Sequence, residues 1–236
     1  MAAINGYEGS VTFAAGYTDS VHAWRIMDGG DMAIITPFAP TGNAVVRAAA
    51  LGNWDGEYRC WKQSSISTGL TLAGGYYSTN AHSFTLSLTA EDLITTPFGA
   101  NYNTRIAGLL SATGSYDCYL DDTTPLPSRG SSDTITLTVD AAETYVIPII
   151  INTAEARVGA AGDDRHVTIS WESRGEIVET GVPVVGVSGA AEFVAKGARK
   201  YNGNIVVLSV GISMTYAQEA AEYTIGFSGN GDPAGA

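Results

Sequence analysis

The chain has 236 residues with 24 acidic and 12 basic side chains, a formal net charge of −12, and its length suffices to bury a sizeable core in one large domain or two small ones. Its only lysines are Lys62, Lys196 and Lys200, so few cations are present to displace counterions from phosphates, which argues against a nucleic-acid grip. Hydrophobic residues at 45% argue against disorder. The most apolar run, 146–151, is broken by Pro148 and is far shorter than the ~20 residues of a membrane-spanning helix.

In chain order, the first predicted elements are short strands over 10–13, 21–27 and 32–36, each bounded by Gly, Asp or Pro. Residues 43–51 (Asn-Ala-Val-Val-Arg-Ala-Ala-Ala-Leu) predict a short helix, with Asn43 as N-cap and Gly52 as C-cap glycine. A strand over 58–61 follows, and then the succession repeats. Gly9-Ser10-Val11-Thr12-Phe13, His22-Ala23-Trp24 and Thr36-Pro37-Phe38 align, 60 residues on, with Gly69-Leu70-Thr71-Leu72, His82-Ser83-Phe84 and Thr96-Pro97-Phe98. After a small deletion the offset is 58: Leu51 aligns with Leu109, and Gly56-Glu57-Tyr58-Arg59-Cys60-Trp61 with Gly114-Ser115-Tyr116-Asp117-Cys118-Tyr119. These repeats are A (8–62) and A′ (68–122). The helix expected of A′, over 103–110, carries an internal Gly108 that weakens it by about 1 kcal/mol.

The second half is built on another unit. Residues 134–139 alternate strictly and predict a strand with one buried face. The continuous apolar run 146–151 predicts a strand covered on both sides, and 166–172 alternates again. Offset by 56, Tyr145 with Ile149-Ile150-Ile151 matches Tyr201 with Ile205-Val206-Val207; Val167-Thr168-Ile169-Ser170-Trp171 matches Tyr223-Thr224-Ile225-Gly226-Phe227; Gly175 matches Gly231. These repeats are B (133–178) and B′ (189–234). Neither unit has enough strands to cover its own faces, so an A joins a B. The expected fold is mainly β, two sandwich or barrel domains each with a short flanking helix, in the order A-A′-B-B′. Nesting needs no crossing connections and sets an outer domain at 1–67 plus 181–236 around an inner one at 68–180; pairing A with B and A′ with B′ makes the chain shuttle twice.

No local pattern announces chemistry. There is neither a Gly-x-Ser-x-Gly elbow nor a phosphate loop, so no catalytic residue and no cofactor is assigned. His22 and His82 are repeat equivalents, each two residues before an aromatic, and are read as structural rather than as metal ligands. The cluster Asp163-Asp164-Arg165-His166 lies between glycines and a strand, where Asp is ordinary hairpin chemistry, and no metal is assigned to it. Cys60 and Cys118 occupy one position in two copies, so they are expected far apart, reduced and unpaired. The N-terminal residues have no basic region followed by an apolar core and are expected not to be a signal peptide.

Together, Trp24 with Thr36-Pro37-Phe38, Phe84 with Thr95-Thr96-Pro97-Phe98-Gly99, Ala107-Gly108-Leu109 before Gly114-Ser115-Tyr116, and the C-terminal Tyr201-Asn202-Gly203-Asn204-Ile205-Val206-Val207 ending in Ile225-Gly226-Phe227-Ser228-Gly229-Asn230-Gly231 resemble phage major tail tube proteins over most of the chain. The resemblance implies a β-sandwich or barrel whose copies form six-fold rings stacked into a hollow tube for viral DNA. Two tube-like units per chain imply that three chains make a pseudo-six-fold ring. Implied partners are further copies of the chain and the tail terminator, distal tail and tape-measure proteins; DNA passes without specific binding, no membrane is involved, and the location is the virion tail, assembled in the host cytoplasm. An acidic lumen repels phosphate, which makes Asp117, Asp121, Asp122, Glu172, Glu176 and Glu222 candidates for the lining. The alternatives are a tail completion or capsid decoration protein, and a non-viral β-sandwich binding module or adhesin.

Overall fold

A computed structural model describes residues 2–7, 10–14, 21–35, 46–63, 69–72, 81–96, 98, 102–120, 124–140, 142–158, 165–195, 200–215, 220–231 and 234–235. Period-two alternation in these segments becomes fifteen strands, all antiparallel to their neighbours, in one sheet. They are β1 (Ala2–Tyr7), β2 (Ser10–Phe13), β3 (Val21–Ile35), β4 (Val46–Gln63), β5 (Gly69–Leu72), β6 (Ala81–Ile94), β7 (Arg105–Tyr119), β8 (Ser132–Asp140), β9 (Glu143–Val158), β10 (Arg165–Ser173), β11 (Val178–Thr180), β12 (Ser188–Val194), β13 (Lys200–Thr215), β14 (Ala220–Gly229) and β15 (Ala234–Gly235). The main path runs β1-β3-β4-β14-β13-β6-β7-β10-β9-β8-β5.

Pairings recur with the same register at the offsets read from the sequence. Trp24 faces Tyr58 across β3–β4, and Phe84 faces Tyr116 across β6–β7. Both ladders shift after their first pair, Val21↔Cys60 and Ala81↔Cys118, leaving His22 and His82 as the extra residues. Tyr223 faces Cys60 across β14–β4, and Val167 faces Cys118 across β10–β7. Asn152 is the extra residue of β9 against β10, and Leu208 that of β13 against β14. A bulge bends its strand and re-aims it. Here each bend lets the first half of a long strand leave the layer of its second half: β13 carries β12 along 200–206 and β6 along 209–215. The β12 layer closes over the inner face, where Phe193 meets Trp24 at 5.7 Å, Tyr58 at 6.5 Å and Phe227, stacked, at 5.0 Å between ring centroids. The core is the inward half of each alternation: Ile135, Leu137 and Val139 on β8, Val167, Ile169 and Trp171 on β10, Tyr223, Ile225 and Phe227 on β14.

Four expectations need correction. The helices expected over 43–51 and 103–110 are absent: 46–51 belong to β4 and 105–110 to β7, with 43–45 outside the described residues. Eight or nine residues make a marginal helix, whereas Val46 to Ala49 pair with Ile35 to Met32 in a ladder that satisfies their backbone groups. Second, 21–27 and 32 onward form one strand, since Asp31 is absorbed as an irregularity, as is Glu91 in β6. Third, the run 146–151 is not evenly covered: Ile147, Ile149 and Ile151 are buried, and Val146, Pro148 and Ile150 half-buried. Fourth, Ser10 pairs with Val194 where Gly69 pairs with Thr138, so the first strand aligns at 59 rather than 60. The one-residue slip matters because it matches the buried Val11 and Phe13 with Leu70 and Leu72 instead of Thr71.

Candidate functional site

The outward half of the alternation builds one broad polar face. Residues opposite one another in an antiparallel ladder share a face, so the registers define its rows. One row runs Trp61, Glu222, Ser213, Thr85, Ser115, Ser170, Thr153. The next runs Arg59, Thr224, Gly211, Ser87, Thr113, Glu172. Hydroxyls dominate its middle and bond across strands: Thr85 to Ser115 at 2.9 Å, Thr89 to Ser111 at 3.0 Å, Thr153 to Ser170 at 2.6 Å. Asp117 accepts from Ser83 at 3.0 Å and from Thr168 at 2.6 Å. The result is a polar surface whose hydroxyls already hold one another.

The charges of this face are mostly negative in effect. Of its guanidinium groups, Arg59 lies 3.4 Å from Glu57 and Arg157 3.2 Å from Glu155, each within its own strand. Arg25, on the same face, stands opposite Glu57. Of the six acidic candidates, Asp117, Glu172 and Glu222 belong to this face by register; Glu176 is exposed in the turn between β10 and β11, off the ladder; Asp121 and Asp122 lie outside the described residues. The register also brings in Glu57, Glu155 and Asp55, which the sequence reading missed. The signal for Asp55 and Glu57 was there, because they alternate with the buried Trp54 and Tyr58, whereas Glu155 stands between the half-buried Ala154 and the exposed Ala156 and gave none.

At one margin of the face sit two matched aromatic sites. His22 stacks on Trp61 at 5.0 Å between ring centroids, with its Nε2 3.6 Å from Glu222. His82 packs on Tyr119 at 4.8 Å and on His166 at 5.1 Å. The two histidines thus do the same packing work on the same bulge. Beneath the face, burial first and then the charge of Asp117 push the Cys118 thiol up to about 12. Burial, followed by the neighbouring cysteine, likewise raises the phenols of Tyr58 and Tyr116. Cys60 and Cys118 are both buried and neither is in a disulfide. The path from β4 to β7 crosses four strand spacings, roughly 19 Å at ~4.8 Å each, so the two sulfurs cannot meet.

Among the described residues, no three His, Cys, Asp or Glu side chains converge to hold a metal ion; Asp163 and Asp164 lie outside them. No helix of the described residues is long and apolar enough to cross a membrane. Exposed apolar side chains gather at the far end of the β6–β7 hairpin, at and beyond the irregularity at Glu91: Leu93 and Ile106 opposite each other, Ile94 on the other face, with Phe98 and Leu109. No protein-family model matches the chain, and no curated protein matches it. What the arrangement offers chemically is a wide, self-satisfied, acid-leaning sheet face, flanked by apolar surface suited to contact with protein.

Proposed function

We propose that the chain is a structural, non-enzymatic protein that polymerises into stacked rings forming the hollow tail tube of a virus. The observation that carries the reading is the duplication of ladders. Strands β3, β4, β14, β13, β12 and β2 pair with one another in the registers that β6, β7, β10, β9, β8 and β5 use. This repetition supports two like units per chain, an outer one at 1–67 plus 181–236 around an inner one at 68–180. Two like units side by side are the element from which three chains close a pseudo-six-fold ring.

The polar face serves as the lumen wall in this reading. Hydroxyls bonded to each other have little left to offer a passing strand, and Asp117, Glu172 and Glu222 repel its phosphates. The exposed apolar side chains at the end of the β6–β7 hairpin serve ring-to-ring contact, since apolar surface concentrated in this way marks a surface meant to be covered. Tail terminator, distal tail and tape-measure proteins are the corresponding partners, and the virion tail is the location.

Negative-stain electron microscopy of the purified full chain tests the proposal. Hollow tubes, or rings of three copies that stack as concentration rises, are expected. A protein that stays monomeric at every concentration overturns it.

A further inference from the structure

Among the described residues one ladder has no counterpart. Strand β13, once past its bulge, pairs with β6: Val210 with Leu88, Gly211 with Ser87, Ile212 with Leu86, Ser213 with Thr85, Met214 with Phe84. The segment of β9 that corresponds at the 56-residue offset, 153–158, pairs with β10 along one edge. Along its other edge, backbone bonding stops at Ile151, which bonds Gly130 and Ser131, as Val207 bonds Gly186 and Val187 in β13. Beyond that point, no described strand pairs with 153–158 on the side where β6 joins β13. The strand equivalent to β6 is β3. Its matching edge, 23–28, carries the six-residue N-terminal strand β1, from Ala2↔Asp28 to Tyr7↔Ala23.

We propose that the free edge of β9 pairs with β3 of a second copy of this chain, and that β1 is a stand-in strand that leaves when the copies join. Transferring the β13–β6 register gives Ala154↔Asp28, Glu155↔Met27, Ala156↔Ile26, Arg157↔Arg25 and Val158↔Trp24. The inference rests on the reading that copies of this chain assemble, and it names the edge by which they do.

Burial points the same way. Val210, Ile212 and Met214 are 0%, 3% and 5% exposed beneath the β13–β6 ladder. Their counterparts are Ala154, half-buried, Ala156, exposed, and Val158, 59% exposed. An apolar alternation left open at an unpaired edge is a template for another strand. On the outer face Arg157 comes opposite Arg25, but Glu155 and Glu57 stand beside them, so the four charges balance. The β9 edge and the β3 edge are different surfaces, so the contact is heterologous, and its repetition closes a ring or extends a filament. Among the described residues β1 pairs with β3 alone, so its departure breaks a single ladder.

Two experiments on the full chain test this. In a protein carrying both Glu155→Cys and Met27→Cys, directly opposed positions lie within disulfide reach. Mild oxidation is expected to give covalent oligomers on a non-reducing denaturing gel, whereas neither single variant forms a ladder beyond dimers. Assembled rings or tubes without the cross-link overturn the β9–β3 pairing and leave the tube reading standing. Cross-linked rings that never stack keep the pairing and overturn the tube. Ile4→Pro combined with Asn5→Pro removes a ladder N–H whichever residue faces β3. It is expected to lower the concentration at which oligomers appear in light scattering by roughly tenfold, because more of the free chain is binding-competent. An unchanged or raised threshold overturns the stand-in role of β1.

Discussion

At the residue scale, the tightest constraints are glycines under aromatic rings. A Cβ on Gly114 would run into the Trp171 indole and the Thr85 carbonyl; one on Gly56 would meet the Phe227 ring and the Arg25 carbonyl. Two of those obstacles are backbone, which cannot step aside, so the space is closed rather than merely crowded. Gly114→Ala and Gly56→Ala are each expected to lose about 1–3 kcal/mol of stability, measured as a lowered urea midpoint with unchanged slope. Arg105 makes the complementary case. Its guanidinium contacts Asp92 and Asn53, its backbone N–H donates to Asn230 Oδ1 at 3.1 Å, and the residue is 6% exposed. Deleting the acid strands a buried cation, so Asp92→Ala is expected to cost about 3–5 kcal/mol. Arg105→Met keeps the stem and leaves only the more exposed carboxylate unpaired, so it is expected to cost less, about 1–3 kcal/mol. A reversed order in chemical denaturation would contradict this account of the pair.

At the element scale, the ladders place ionisable groups where only their neutral forms fit. Tyr58 and Cys60 alternate inward on β4, as do Tyr116 and Cys118 on β7. The raised values of Tyr58, Tyr116 and Cys118 mean that the folded protein holds these protons more tightly than the unfolded chain does. Below pH ~8, both states are protonated and the groups contribute no pH dependence. Above the ordinary thiol and phenol values, at pH ~9 to 10, the unfolded chain releases protons that the native state keeps, so stability falls as pH rises. Urea midpoints are therefore expected to be level from pH 6 to 8 with respect to these groups and to drop from about pH 9 upward, with Tyr116→Phe reducing the slope. A midpoint indifferent to pH between 9 and 11 would refute it.

At the scale of the whole molecule, the acidity acquires a place. Much of the charge of −12 stays outside the described residues or on loops, yet the broad face carries carboxylates beside guanidinium groups that Glu57 and Glu155 already engage. Such a face is hydrated, repels polyanions and holds its own hydroxyls. Among the described residues one strand edge on β9 is open and the matching edge on β3 is covered by β1 alone. In the function proposed here, a wall that rejects polyanions and edges that accept strands make a building block, which is why tubes under the microscope and an inter-copy cross-link are the decisive observations.

The sequence by itself determined what depends on neighbours along the chain. Alternation of Ile135, Leu137 and Val139, or of Val167, Ile169 and Trp171, is a local pattern, and it commits those residues to strands with a defined inner side. The repeat offsets of 60, 58 and 56 were legible for the same reason: they compare one stretch of chain with another. The acidic candidates were legible only in part. Asp117, Glu172 and Glu222 share a face because four ladders bring β14, β7 and β10 into one layer, a fact that no local pattern contains. Residues 46–51 are apolar and alanine-rich enough for either helix or strand, and pairing with β3 decides for strand. The frame of 10–13 against 69–72 was off by one until their partners, β12 and β8, set it. Only the tertiary structure decided these points, because hydrogen bonds between strands distant in sequence choose register, and register chooses which side chains share a face.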